Sequence, residues 1–72
     1  MSRIIIDSHT GTKELAEMFV RALGLLHEVG INPRAGTRLV SKYAVIVVDD
    51  AATDTAIAHL CGASVSASRE AA

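Results

Sequence analysis

The stretch Asp7-Ser8-His9-Thr10-Gly11-Thr12 holds the densest set of residue types that could bind a small molecule. It follows a triple isoleucine, Ile4-Ile5-Ile6, and precedes an amphipathic run, so it reads as a loop entering a helix. At a helix N-terminus, free N–H groups and the dipole favour anions and carboxylates. Ser8, His9 and Thr10 would supply hydrogen-bonding groups there, and Gly11 would allow close approach to the backbone. The same residues also suffice for a helix cap and turn carrying an exposed histidine. Nucleophilic chemistry has less to work with. Adjacent Ser8 and His9 rarely present their side chains to each other, and the strand–nucleophile–helix elbow is missing.

Metal chemistry finds little support. His59 and Cys61 are two apart on a helical pattern, so their side chains diverge by about 200°. No HxxxH, CxxC or HExxH spacing occurs. Asp49, Asp50 and Asp54 could form a divalent-cation site, although such a cluster also serves as a helix cap. Gly11, Gly24, Gly30 and Gly36 form neither a phosphate loop nor a dinucleotide pattern. No metal and no cofactor is expected.

These residues must be positioned by a small chain. Its 72 residues make one domain, residues 1–72, with the last few residues expected to trail off it. Half of the residues are apolar, yet Phe19 and Tyr43 are the only aromatics, so Ile, Val, Leu and Ala must build the core. Such side chains bury little area each, at roughly 25 cal/mol per Å². Self-association would add to it. Formal charge is −1, and the chain lacks both a basic stripe and stacking aromatics, which argues against nucleic acid as partner. Arg34, Arg38 and Lys42 form the one basic grouping and read as a solvated sheet edge. One cysteine excludes an intrachain disulfide, and Cys61 reads as a small buried hydrophobe. No apolar run approaches the roughly 20 residues of a membrane span, and the N-terminus reads as a strand, so a cytoplasmic location is expected.

The chain repeats one pattern: apolar strand, polar turn, amphipathic helix, glycine. Leu15, Met18, Phe19, Ala22, Leu23, Leu26 and Val29 recur at helical spacing, giving a helix from about Thr12 to Val29. Thr10 or Thr12 can cap its start. Gly30 stops it, folding Ile31 back toward Leu26 in a Schellman arrangement. Thr37–Val40 and Tyr43–Val48 read as strands joined at Ser41-Lys42. A second helix runs from about Ala51 to Cys61, with Ala56, Ile57, Leu60 and Cys61 inward and Gly62 as its stop. Residues 63–67 alternate with period two and suggest a short last strand.

The order β-α-β-β-α-β specifies an α+β fold, a ferredoxin-like sandwich with an antiparallel sheet and two helices on one face. That topology puts the first and third strands at the centre, and those two are the most apolar. It also leaves one sheet face without helices. Ile5, Val45 and Val47 fall on that face, so a partner surface is expected there, most simply a second copy of the chain.

The run Gly11-Thr-Lys-Glu-Leu15, the turn Gly30-Ile31-Asn32 and the helix from Asp49 to Leu60 ending at Gly62 resemble an ACT domain. The resemblance covers most of the chain. Members of that family are ferredoxin-like modules that dimerise, bind amino acids or other small effectors at subunit interfaces, and regulate an enzyme without being catalytic. The resemblance implies that Ser8, His9, Thr10, Gly11 and Asn32 face a ligand. Thr10 stands where the family commonly has proline, and Pro33 where it has an aliphatic residue.

Three functions follow as expectations. The first is a non-catalytic ligand-binding or regulatory module acting as a homo-oligomer, with a small effector such as an amino acid and an enzyme or other protein as client. The second is an assembly subunit that docks a partner protein without any ligand. The third is a small enzyme whose active site lies at an oligomer interface near His9.

Overall fold

The computed structural model describes residues 1–7 and 11–70. Ser8, His9 and Thr10, and residues 71–72 where the chain was expected to trail off, lie outside the described residues. Strand β1 (Ser2–Asp7) is followed by helix α1 (Thr12–Glu28), strands β2 (Arg38–Leu39) and β3 (Tyr43–Val48), helix α2 (Asp50–Gly62) and strand β4 (Ala67–Arg69). The sheet order is β2-β3-β1-β4 and every neighbouring pair is antiparallel. This is the ferredoxin-like α+β sandwich, with the two most apolar strands at its centre.

Alternation sorts the strand residues. Ile4 and Ile6 of β1, with Ala44, Ile46 and Val48 of β3, are fully buried in one cluster with Leu15, Ala22 and Leu26 of α1 and Ala56 and Leu60 of α2. Met18, Phe19, Leu23 and Ile57 pack against its rim. Both helices therefore lie on the same face. The alternate residues Arg3, Ile5 and Asp7 of β1 stand opposite Val47, Val45 and Tyr43 of β3 on the helix-free face.

That face is less bare than the strand pattern suggests. Val45 and Val47 are only 5% and 8% exposed, and Ile5 is half-buried. The segment before β2 runs alongside β3, where the Arg34 amide donates to the Val47 carbonyl at 2.7 Å and the Thr37 hydroxyl accepts from the Val47 amide at 3.0 Å. Gly36, with φ +100°, lies so close that a Cβ there would stand 3.2 Å from Val47 Cγ2. Backbone, not a second copy, already shields part of β3.

Both helices end in the same way. After α1, Gly30 has φ 77°, its amide donates to the His27 carbonyl at 3.0 Å, and the Ile31 amide donates to the Leu26 carbonyl at 2.9 Å. This is the expected Schellman motif. After α2, the Ser64 amide donates to the Cys61 carbonyl at 3.1 Å and the Val65 amide to the Leu60 carbonyl at 2.9 Å. The left-handed residue there is Ser64, at φ 65°, and Gly62 remains helical. Residues 63–66 form this turn, so the last strand begins at Ala67, later than its alternation implied. Val65 is buried because the turn drives it back against the core, not because it belongs to a strand.

Other boundaries shift for identifiable reasons. Gly11, not a threonine, stands at the N-cap of α1, and Thr12 is its first helical residue. Val29 falls at the C-cap and is 42% exposed. Cys61 is exposed and its Sγ donates to the Ala67 carbonyl at 3.5 Å, because Thr53 takes the inward position beside Ala56 and Leu60. The first edge strand shrinks from four expected residues to two, Arg38 and Leu39.

A serine at positive φ stores strain that glycine would not, on the order of 1 kcal/mol. Ser64→Gly should therefore stabilise the fold by about that amount, and Gly30→Ala should destabilise it comparably. Urea denaturation followed by far-UV circular dichroism measures both. A loss of stability in Ser64→Gly would show that the serine hydroxyl, not the backbone, holds the turn.

Candidate functional site

The end of β1 opens into a concavity of about 530 Å³. Its walls come from three elements that the sheet topology brings together: Ile5 and Asp7 of β1, Gly11, Thr12 and Leu15 at the start of α1, and Ser41, Lys42 and Tyr43 at the β2–β3 turn. Asp7 and Tyr43 face each other across the central strand pair. The positive end of a 17-residue helix and Lys42 line this one space, beside Ile5 and the edge of buried Leu15. Its helix N-terminus and lysine suit a small carboxylate or other anion.

Of the residues anticipated at a ligand, Gly11 lines this concavity. Ser8, His9 and Thr10 lie outside the described residues, between two residues that line it. Asn32 is exposed and sits beyond the other end of α1, about 25 Å away at 1.5 Å per residue. One chain therefore does not bring Gly11 and Asn32 to the same place. Thr12, the last residue of the polar stretch, also lines it, and Lys42 and Tyr43, which were not singled out as ligand-facing, complete the wall. Their signal was topological, since the hairpin turn and the first loop share a sheet end.

The acidic group around α2 is occupied by cations of the chain itself. Asp49 caps α2 by position only, because its carboxylate takes a bidentate pair from Arg34, with Nη2–Oδ2 at 2.7 Å and Nε–Oδ1 at 3.1 Å. Asp50 accepts from the Ser2 hydroxyl at 2.6 Å and lies 3.4 Å from the N-terminal amine. Asp54 lies 3.6 Å from Arg69. Among the described residues no group of three His, Cys, Asp or Glu side chains could hold a metal ion. His59, with Cys61 two residues on, buries its Nε2 without a hydrogen-bond partner among the described residues.

These partners hold the carboxyls low. The hydrogen bond from Arg34 keeps the Asp49 carboxyl below its usual range, and the hydrogen bond from Ser2, with the terminal amine, does the same for Asp50. A carboxyl depressed in the folded state contributes stability above its unfolded value, near pH 4, and loses it as pH falls through the folded value. Arg34→Gln should therefore lower Tm at pH 7, and the gap from the parent protein should close as pH falls through the depressed folded-state value of the Asp49 carboxyl. Both groups are solvent-exposed, so the effect is small and weakened by salt. A gap that persists at low pH would assign the role to packing of the Arg34 stem.

A second concavity, of about 260 Å³, lies on the helix-free face, with Val45 and Val47 in its floor and Arg3, Arg38, Tyr43 and Glu70 around it. Tyr43 borders both concavities. No helix of the described residues is long and apolar enough to cross a membrane. No family model, no curated protein and no solved structure matches the chain.

Proposed function

We propose that the protein is a small non-catalytic module that binds a carboxylate effector, such as an amino acid, and works as a homo-oligomer. The observation that carries this reading is the sheet-end concavity, which the start of α1 and Lys42 line together. A carboxylate would sit against the helix N-terminus and Lys42.

The regulatory, ACT-like part of the reading rests on Gly11 opening α1 and on the Gly30-Ile31-Asn32 turn. Given the length of α1, Asn32 joins the ligand only from a second protomer. What supports assembly is the part of the helix-free face that the chain leaves open, half-buried Ile5 with exposed Arg3, Asp7 and Tyr43 around it. Effector binding at such an assembly is how the module would act on a client protein.

A thermal-shift series with free amino acids and small carboxylates tests this. A ligand at 100 times its Kd stabilises by about 2.7 kcal/mol, a shift of about 10–20 °C for a domain this small. Lys42→Ala should abolish the shift without lowering the Tm of the free protein. If no ligand moves Tm while a pull-down recovers a stoichiometric protein partner, the chain is an assembly subunit instead.

A further inference from the structure

The helix-free face is complementary to itself. On β1, Arg3 and Asp7 flank Ile5 on that face, two residues to either side. On β3, Val47 and Tyr43 flank Val45 in the same manner, and Ile5 stands opposite Val45. A two-fold axis lying between two stacked sheets, perpendicular to the strands and passing over the Ile5–Val45 pair, would superpose these patterns in reverse. Each Arg3 would lie over the partner's Asp7, and each Tyr43 over the partner's Val47. Ile5 and Val45 would meet their own copies on the axis. Opposite charges and a knob-and-hole pair would each occur twice, as an isologous interface requires.

We propose that two copies of this chain pair through their helix-free faces in this register. The proposal rests on the homo-oligomer reading above and names its geometry. Stacked sheets pack about 10 Å apart, a gap that an arginine and an aspartate can bridge together. Arg3 is available for this, since its one contact with Glu70 is 3.4 Å long and its side chain is 64% exposed. Tyr43, 38% exposed, is the one exposed aromatic among the described residues. The partner's tyrosine would enter the concavity of about 260 Å³ above Val45 and Val47. Arg38, opposite Val45 on the edge strand, meets the partner's Arg38 only at the rim, where solvent screens two flexible side chains. The antiparallel stacking also brings the sheet end that carries Asn32 in one copy over the end that carries Lys42 in the other.

The face is small. Only β1 and β3 run six residues, about 20 Å, while β2 has two and β4 three, so the face covers less than roughly 20 Å by 20 Å. Two such faces bury less than roughly 800 Å² in total, the size of a weak, transient contact, so the dimer should dissociate on dilution.

Sedimentation velocity over a concentration series tests the register with two charge reversals, Arg3→Asp and Asp7→Arg. Each alone sets like charges against each other and should weaken self-association at least about tenfold. Mixed in equal amounts, the two variants restore both ion pairs and should form a heterodimer, which also shows that each is folded. A parent dimer that neither reversal weakens, or a mixture that stays monomeric, overturns the register and leaves the homo-oligomer reading standing. A parent chain that is monomeric up to millimolar concentration, or whose sheet-face amide signals move only when another protein is added, overturns both.

Discussion

The pairing of β1 with β3 is the interaction on which the rest depends. Six consecutive residue pairs, from Ser2 opposite Val48 to Asp7 opposite Tyr43, lock the two most apolar strands in one register. Because side chains alternate, a slip of one residue would exchange the two faces. In the observed register Ile4, Ile6, Ala44, Ile46 and Val48 receive the helices, and Arg3, Ile5, Asp7, Tyr43, Val45 and Val47 make the other surface. Both concavities, and the symmetry of charge about Ile5, are consequences of that choice. No loop residue has comparable reach.

The helices are held to this sheet by a shared device built from different residues. Leu26 and Leu60 are buried, and each accepts a hydrogen bond from the β-branched residue five positions later, Ile31 or Val65. Between them stands a left-handed residue, glycine in one case and serine in the other. The hydrophobic clamp and the two hydrogen bonds outweigh the strain at Ser64. The chain's strand–helix repetition thus extends to the helix ends, where the residue types no longer repeat.

Much of this was legible in the residues. The periods of two and 3.6, the order of elements and the apolar central strands led to the ferredoxin-like sandwich, and β3 was bounded correctly. The misreadings share a cause. Gly62 and the alternation of residues 63–67 were read from residue preference, but Leu60 and Val65 had to reach the core together. Cys61 was read as inward because helical spacing alone leaves the buried stripe uncertain by one residue. At the candidate site, the loop and Gly11 were visible as a polar entry to a helix. Lys42 and Tyr43 were not, because their proximity depends on how the hairpin folds back.

The sequence by itself determined the elements and the two faces of each strand, since these follow from local period and chain order. Tertiary structure decided what lies on the helix-free face. The Arg34–Gly36 backbone folds along β3 and shields Val45 and Val47, a long-range approach that no local pattern encodes. It also decided the fate of the acids around α2, each taken by a cation far away in sequence, Arg34, the N-terminus or Arg69. Such pairings depend on where the sheet places distant residues, and that placement exists only once β1 and β3 have met.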